Sequence, residues 1–466
     1  MLGRQERCQQ TLFLTCQLSD LVPEEHILKR VDRVLDLSWL GGEVGPLYAA
    51  GQGRPSIDPE VAVRLMLAGF FEGIVHDRKL LRQAQVNVAI RWFCGYGLDE
   101  ALPDHSSLTR IRQRWGAARF RRIFDKTVQA CVGAGLVTGD TVHVDATLIR
   151  ADVSWESLVA RHVERTLEVN EVLDADEAAG PDETEPAPRV SRTDPDACVA
   201  KAGRQARGEP SYKQHTAVDD AAGIVVDVAI EPGTAPEGAQ LVAQLERVES
   251  TTQRRVQRVT ADKGYSSAAN YAALEARGVE AIIAPERVGR TQGALPGRRF
   301  KYDARHDVVR CPGGRVLTHR SFDGERHHYR AEAAVCRRCP KRGACLAPSA
   351  RARSVRLMPG HDALVRARRR RARGDEAWRH HMARHRWQVE GVHGEAKSQH
   401  GLRRAARRRL WNVSIQAYLT AAAINLKRLA RAICGPLANG AHRAARRFVR
   451  GVLRLLVPAF VRRCPA

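Results

Sequence analysis

Apolar residues recur every three or four positions through the first third of the chain, and this spacing places them on one face of an α-helix. Residues 61–71 show the pattern most clearly. Asp58 suits the cap position in front of that helix, and Pro59 suits its first turn. A second helix start at residues 103–108 leads into a segment that contains six arginines. We therefore predict an all-helical domain over residues 1–135.

The pattern changes to alternating polar and apolar positions beyond Gly139, which is typical of a half-buried β-strand. Residues 141–145 alternate in this way and include β-branched side chains, so we predict a strand that ends at Asp145. Two further β-rich runs, 212–218 and 224–230, flank a loop and predict a hairpin. The chain therefore enters a domain that contains a sheet.

Helices and strands alternate after the hairpin. A helix is predicted at 236–250, and a strand at 256–261 ends at Asp262. A helix at 268–277 and an apolar strand at 279–284 complete the order. Three strands followed by alternating helices and strands indicate an α/β domain with a mixed sheet and flanking helices.

Two stretches interrupt this order. Residues 172–210 are rich in Asp, Glu, Ala and Pro and are predicted to be a surface linker. Residues 291–360 are irregular and hold four of the cysteines, before helices resume at 376–398 and 411–432. The predicted organisation is a helical domain (1–135), the first part of the sheet domain (139–290, with the linker 172–210), an inserted cysteine-bearing subdomain (291–360), the second part of the sheet domain (361–433) and a basic C-terminal tail (434–466).

The charge balance points to a polyanionic partner. Lysine and arginine number 76 against 52 acidic residues, a net charge of +24, which favours nucleic acid first and an anionic membrane second. Arginine clusters at 366–373, 403–409 and 443–450 suit phosphate groups, although each cluster alone fits a solvated surface equally well. Contacts through phosphates predict an affinity for DNA that falls steeply with salt.

Neither end of the chain suggests a membrane. The most apolar stretch, residues 449–461, is broken by Arg450 and Arg454, so no run is long enough to span a bilayer. The first ten residues lack the apolar core of a secretory signal. We expect a cytoplasmic, nucleoid-associated protein with no membrane role and no small-molecule substrate.

Three carboxylates stand where metal chemistry needs them. A carboxylate at a strand end projects into the crevice where α/β sheets keep their sites, the position predicted for Asp145 and Asp262, although either one alone is by default a turn residue. Glu390 lies four residues after Arg386 and seven before Lys397, so the three share one face of a predicted helix. Mg²⁺ takes oxygen ligands, and paired ions activate an attacking oxygen and stabilise a leaving one.

Recognisable motifs surround these residues along most of the chain: LVPEEH at 21–26, GRP at 53–55 through EGI at 72–74, PDHS at 103–106, VDAT at 144–147, SRTDPD at 191–196, ADKGY at 261–265, GLRR at 401–404 and NLK at 425–427. With these motifs the chain resembles bacterial insertion-sequence transposases of the Asp-Asp-Glu (DDE) type. In that family the catalytic domain is ribonuclease-H-like, and the inserted subdomain is expected.

The resemblance implies a DNA transposase that cleaves DNA strands and transfers them. Asp145, Asp262 and Glu390 would be its catalytic residues and would hold two ions of Mg²⁺ or Mn²⁺. The expected partners are the terminal inverted repeats of the element, target DNA and further copies of the chain in a homo-oligomer. DNA contacts are expected from five basic residues: Arg110 in the helical domain, Arg386, Lys397, Arg403 and Arg404.

Two other interpretations stay open. In the family a tyrosine precedes the arginine, glutamate and lysine of this helix, and Ala383 stands at the tyrosine position. Together with the basic tail, this motivates a decayed transposase remnant that acts only as a DNA-binding protein. A metal nuclease that cuts DNA without joining it is the third interpretation.

Four cysteines have spacing of interest. Cys311, Cys336, Cys339 and Cys345 include one C-x-x-C pair and offer four thiolates that suit a structural Zn²⁺ ion, with free thiols as the alternative. Either way, we expect their role to be structural.

Three other residues near the triad are weaker candidates. Asp152 has no strand leading into it. His143 shares the strand face of Asp145 but is expected to be a packed residue. Glu395 is turned away from Glu390 by its offset of five residues along the helix.

Overall fold

The computed structural model of the chain describes residues 16–49, 56–154, 157–160, 189–201, 207–285, 295–373 and 376–435. Several expectations fall outside these residues: the GRP motif at 53–55, most of the acidic linker, the arginine cluster at 443–450 and nearly all of the basic tail. Among the described helices, none combines the length and the apolar character that a membrane span needs.

The described part of the first third is helical. Asp58 caps the third helix as predicted, because its carboxylate accepts hydrogen bonds from the backbone N–H groups of Glu60 at 2.7 Å and Val61 at 3.3 Å. The last helix changes direction at Gly116, where a φ of 66° favours a residue without a Cβ atom. The helices are α1 (Ile27–Asp32), α2 (Leu40–Val44), α3 (Pro59–Phe71), α4 (Asp77–Val86), α5 (Val88–Cys94) and α6 (His105–Gly133).

An eight-stranded mixed sheet follows. Its strands are β1 (Thr141–Arg150), β2 (Leu158–Ala160), β3 (Arg189–Ser191), β4 (Cys198–Ala200), β5 (Glu209–Asp219), β6 (Val225–Pro232), β7 (Arg258–Ala261) and β8 (Glu280–Ile283). They lie in the order β2-β3-β4-β5-β1-β7-β8, and β6 pairs with β5. The hairpin β5–β6 is antiparallel, whereas β1, β7 and β8 run parallel. The predicted alternation is confirmed, with helices α7 (Leu241–Thr252) and α8 (Ala268–Ala276) between the later strands.

The prediction that the first strand ends at Asp145 is wrong, because β1 continues to Arg150. Its pairing with β5 runs from Val142 to Arg150, while its pairing with β7 ends at Val144. The second half of the strand is therefore held mainly by β5, which lies more than 60 residues away along the chain, and its last residue, Arg150, also forms a parallel bridge to Arg404. Asp145 lies inside β1 at the point where β7 leaves the sheet.

The prediction of a surface linker over residues 172–210 is wrong for the part of it that the structure describes. Residues 189–201 form β3 and β4 and extend the sheet beside β5. Asp194 is fully buried and accepts a hydrogen bond from the backbone of Arg409, and Asp196 accepts one from Leu410 at 2.9 Å. These two carboxylates cap the N-terminus of the last helix, so the acidic composition here serves packing as well as solvation.

A second, five-stranded antiparallel sheet replaces the irregular chain that was predicted for the insertion. Its strands have three to seven residues and only a small buried core around Leu317 and Tyr329, which explains why the hydrophobic pattern did not predict them. The strands are β9 (Lys301–Asp303), β10 (Val308–Arg310), β11 (Val316–Phe322), β12 (His327–Arg330) and β13 (Ser354–Leu357), with the short helices α9 (Ala333–Arg337) and α10 (Arg342–Cys345).

Three helices complete the described chain: α11 (His361–Ala372), α12 (Glu376–Gln399) and α13 (Leu410–Cys434), the last two as predicted. Helix α13 joins two hydrophobic cores. Ile415 and Leu419 pack with the N-terminal helices, whereas Val413 and Ile424 pack with the sheet. The N-terminal helices and the sheet are thus connected by a shared, buried helix.

A buried ion cluster strengthens this connection. Arg112 of α6 is 2% exposed and forms a two-pronged pair with Asp77 of α4. Arg407, just before α13, binds the same carboxylate at 2.9 Å. Arg112 and the largely buried Arg121, which pairs with Asp227 at 2.6 Å, are therefore structural, although both belong to the arginine-rich segment of the sequence.

Replacement of Asp77 by alanine should destabilise the protein strongly, because it leaves the buried guanidinium of Arg112 without its acidic partner. Breaking a buried pair in this way costs about 3–5 kcal/mol. Urea denaturation measures the loss, and Asp99→Ala is the control, because Asp99 is exposed and its removal should cost less than about 0.5 kcal/mol. Equal midpoints for the two variants would contradict the role of the cluster.

Candidate active site

Asp145 and Asp262 lie side by side because of the register of two parallel strands. Val144 of β1 is paired with Ala261 of β7. Asp145 follows Val144, and Asp262 follows Ala261. Asp262 begins the turn after β7, and its Oδ1 accepts a hydrogen bond from the backbone N–H of Gly264 at 2.7 Å. Both carboxylates thus stand at the carboxyl end of a parallel strand pair, where α/β sheets hold their ligands.

Glu390 reaches this region from helix α12. The helix packs on the sheet through an apolar stripe of Val389, Val392 and Ala396, which are all buried. Glu390 itself is exposed on the helix, next to this stripe. The three predicted carboxylates, which lie more than 100 positions apart along the chain, are therefore carried by two neighbouring strands and by a helix that packs on them.

The pKa values of Asp145 and Tyr265 reflect the negative charges around them. Burial is the main cause that raises the pKa of Asp145 to about 7; the backbone N–H of Ala146 opposes this rise, and the charges of Asp262, Glu237 and Glu390 contribute to it. Burial also raises the pKa of Tyr265, and the carboxylates of Asp145, Glu237 and Asp262 add to this effect. The site is therefore a concentrated negative charge at the sheet edge.

Glu237 is a fourth acidic residue that the sequence did not suggest. A Cβ atom added at Gly264 would overlap Oε2 of Glu237 and stand 2.9 Å from Oδ1 of Asp262. Glu237 follows β6 in a short helical turn, and Lys213 lies 3.6 Å from its other oxygen. The sequence places it only near a helix start, because its approach to Asp262 depends on how the loop after β6 folds over the end of β7.

The donor set fits a hard divalent cation. All four side chains offer carboxylate oxygens, which Mg²⁺ and Mn²⁺ prefer, and a cation would offset the burial and the neighbouring negative charges that raise the pKa of Asp145. Within the described ranges, no group of three or more His, Cys, Asp or Glu side chains is already close enough to hold a metal ion. Divalent ions would have to draw these carboxylates closer together.

The predicted DNA-binding residues have different surroundings. Arg386, Arg403 and Arg110 are exposed. Lys397 is half-buried, and its Nζ donates to Oγ1 of Thr147 on β1 at 2.6 Å, so it links α12 to the sheet. Arg404 forms an ion pair with Asp152 at 2.6 Å, which gives Asp152 a structural partner outside the triad.

Histidines occupy the buried side of the site. His143 is fully buried and hydrogen-bonded, which confirms the expectation of a packed residue. His393, one turn after Glu390, donates to or accepts from Thr216 at 3.0 Å, and its Nδ1 lies 3.7 Å from Oδ2 of Asp145. Burial lowers the pKa of His393 to about 3, so the ring beside Asp145 is neutral.

Glu395 faces away from the site, as predicted. Its carboxylate binds Lys427 of α13 at 2.7 Å and Arg428 at 3.3 Å. It therefore helps to hold α12 against α13.

The four cysteines of the insertion lie near one another, and none of them forms a disulfide. A Cβ atom added at Gly313 would be 3.6 Å from the Sγ atoms of both Cys311 and Cys339. Burial raises the pKa of Cys345, and the other three cysteines add to this rise. The residues that the structure describes contain no assembled metal cluster here either, so zinc stays a prediction.

Two family models match the chain. The first is described as "Transposase domain (DUF772)" and covers residues 16–114. The second is described as "Transposase DDE domain" and covers residues 172–426, which is more than half of the chain. The protein is thus of the transposase class, and the chain belongs to the DDE transposase family.

Solved structures of two transposases are similar to the chain at low identity. A piggyBac transposase synaptic complex with hairpin DNA is 10% identical, with a TM-score of 0.34, and the match covers 93% of this chain and 82% of that one. A pre-cleavage Mos1 transpososome is 12% identical, with a TM-score of 0.16, and the match covers 52% of this chain and 65% of that one. No curated protein matches the chain by sequence.

The raised pKa of Asp145 predicts a specific pH dependence of stability without metal. The folded state holds this proton up to about pH 7, whereas an unfolded aspartate releases it near pH 4. The stabilisation is therefore complete below pH 4 and is lost as the pH rises to 7, at up to about 1.4 kcal/mol per unit.

Chemical denaturation in the presence of EDTA, at pH values from 5 to 8, tests this dependence. The free energy of unfolding of the wild type should fall relative to that of Asp145→Asn between pH 5 and 7 and level off above 7. Parallel curves for the two proteins would show that Asp145 is not perturbed.

Proposed function

We propose that the protein is a metal-dependent DNA transposase that cleaves DNA at the ends of a mobile element and transfers the strands to target DNA. The observation that supports this most strongly is that Asp145 and Asp262 follow paired residues of adjacent parallel strands, while Glu390 lies on the helix that packs on this sheet. In this proposal the three residues are the catalytic ligands of two Mg²⁺ or Mn²⁺ ions. The raised pKa of Asp145, caused in part by the other two residues, supports this assignment.

We also propose that the sheet domain is ribonuclease-H-like. Its central strands lie in the order β6-β5-β1-β7-β8. The first three pair antiparallel, and the last three run parallel, with the triad at the junction between β1 and β7. Helices α7 and α8 connect the parallel strands, and α12 packs on the sheet.

The side chains around the triad have separate roles in this proposal. Asp145 and Asp262 would hold the divalent ions from the sheet, and Glu390 would complete the set from α12. When bound, the ions would supply activation of the attacking oxygen and stabilisation of the leaving one. Glu237 adds negative charge beside Asp262 and so raises the attraction of the site for cations. The proposal requires no covalent protein nucleophile.

DNA would lie along the exposed side of α12. Arg386 and Arg403 are exposed there and can bind phosphates, as can Arg110 on α6, whereas Lys397 and Arg404 already have protein partners. Trp387, between Arg386 and Glu390, is 71% exposed and offers a flat face on which a nucleotide base can stack. The partners in this proposal are element-end DNA, target DNA and further copies of the chain in the bacterial cytoplasm and nucleoid.

A divalent-dependent cleavage assay on DNA that flanks the gene tests the function. Wild-type protein should cut this DNA and join the cut strand to a second DNA in the presence of Mg²⁺ or Mn²⁺. Asp262→Ala should lower cleavage by more than the roughly 10–100-fold that follows loss of an outer metal-site contact. Asp140→Ala is the matched control, because Asp140 is an exposed aspartate at the opposite end of β1 and should leave cleavage unchanged.

The outcomes separate the three interpretations. Equal cleavage by wild type and Asp262→Ala would overturn the metal assignment. Binding without any cleavage would favour the decayed remnant, which Ala383 motivates, because an exposed alanine stands on α12 where the family has a tyrosine. Cleavage without a joined product would favour the nuclease.

A further inference from the structure

A single buried hydroxyl connects the three elements that carry the acidic triad. Oγ1 of Thr260 lies 2.6 Å from Nδ1 of His143 and 2.8 Å from Nδ1 of His385. Thr260 belongs to β7, His143 to β1 and His385 to α12. His143 and Thr260 are fully buried, and His385 is 7% exposed.

The three residues stand at short, fixed intervals from the acids. His143 precedes Asp145 by two positions, and Thr260 precedes Asp262 by two, so each pair projects from the same side of its strand. His385 precedes Glu390 by five positions on α12. The contact therefore lies two residues before Asp145 and Asp262 on their strands, on the side of the sheet where α12 packs, and on the buried face of α12 rather than on the exposed face that carries Glu390.

The hydrogen bonds that connect His385, Thr260, His143 and Asp220 all run in one direction. Nε2 of His143 lies 2.8 Å from Oδ1 of Asp220, and a carboxylate only accepts, so Nε2 carries the proton. Burial lowers the pKa of both histidines, that of His385 to about 4, which favours the neutral form of each ring. His143 therefore accepts at Nδ1 from the hydroxyl of Thr260, which in turn accepts from Nδ1–H of His385.

The same turn of α12 is fixed by a second contact. Asp220, in the loop between β5 and β6, accepts from Nε of Arg384 at 2.7 Å. Its backbone carbonyl accepts from Nε2 of Gln388 at 2.8 Å. Asp220 thus ties α12 to the loop between β5 and β6. Thr260 instead ties the same part of α12 to the strands that lead to Asp145 and Asp262.

We propose that Thr260 is a positioning residue: its hydroxyl sets the depth and rotation of α12 on β1 and β7, and thereby the position of Glu390 relative to Asp145 and Asp262. The proposal rests on the proposed metal-dependent function of that triad. Thr260 itself touches neither metal nor DNA. A valine has the same shape but neither donates nor accepts, so it breaks both hydrogen bonds, whereas a serine keeps the hydroxyl.

The test compares Thr260→Val, Thr260→Ser and a control, Thr252→Val. Thr252 is equally buried, and its hydroxyl donates to the carbonyl of Val248 at 2.7 Å at the end of α7. The measurements are Mn²⁺ affinity of the metal-free protein by titration calorimetry, Mn²⁺-dependent DNA cleavage, and amide hydrogen exchange along α12.

Thr260→Val should lose about 10–100-fold in Mn²⁺ affinity or cleavage, the usual effect of removing an outer contact of a metal site. It should also exchange amide hydrogens faster in residues 385–392. Thr260→Ser should regain most of the affinity. Thr252→Val should lose a similar amount of stability, without either effect at the site.

Three results would overturn the proposal or its basis, and they differ from one another. If Thr260→Val matched Thr252→Val in metal affinity and in exchange along α12, Thr260 would have no positioning role. If Thr260→Ser did not recover the affinity for Mn²⁺, the loss in Thr260→Val could not be attributed to the missing hydroxyl. If Asp262→Ala retained full affinity for Mn²⁺ and full cleavage, the metal-site function would fail, while the exchange measurement would still decide whether Thr260 holds α12.

Discussion

The burial of neighbouring carboxylates is the constraint on which the organisation of this site depends. Asp145 and Asp262 cannot separate, because the paired backbones of β1 and β7 fix them as neighbours. Burial strengthens the repulsion, since a medium of low dielectric screens charges poorly. Protonation of Asp145 near pH 7 is one way to reduce it, and a divalent cation is the other. Under the proposed function, a bound metal ion would complete this arrangement.

Such an arrangement requires a scaffold that resists local movement. Helix α13 provides much of it, because its two sides belong to the core of the N-terminal helices and the core of the sheet. Its start is capped by Asp194 and Asp196 from the strand region before β5, and the cluster of Asp77, Arg112 and Arg407 ties it to the helical part. The energy that keeps like charges together is therefore distributed over contacts far from the site.

Local patterns predicted the parts of the fold that depend on local interactions. The cap at Asp58, the hairpin of β5 and β6, and the long helices α12 and α13 follow from periodicity and turn residues, and all are present. The extent of β1 and the strands β3 and β4 did not follow, because they depend on pairing with β5. The second sheet was missed because its short strands bury few apolar residues.

The candidate site likewise contains residues that the sequence suggested and residues that only the folded structure brings to the site. Motifs and spacing suggested Asp145, Asp262 and Glu390, and the register of β1 and β7 supplies a reason for two of them to be adjacent. Glu237 carries no local signal, because a loop brings it to Asp262 only in the folded protein. The link through Thr260 is equally hidden, since it joins residues that lie 117 and 125 positions apart along the chain.

Crystals grown with Mn²⁺ and with element-end DNA would test the central claim most directly, through the anomalous scattering of the ion. The proposed function predicts manganese peaks bounded by the carboxylates of Asp145, Asp262 and Glu390, with α12 drawn toward the sheet edge. Manganese bound elsewhere, or a DNA complex in which these three carboxylates contact no ion, would contradict it.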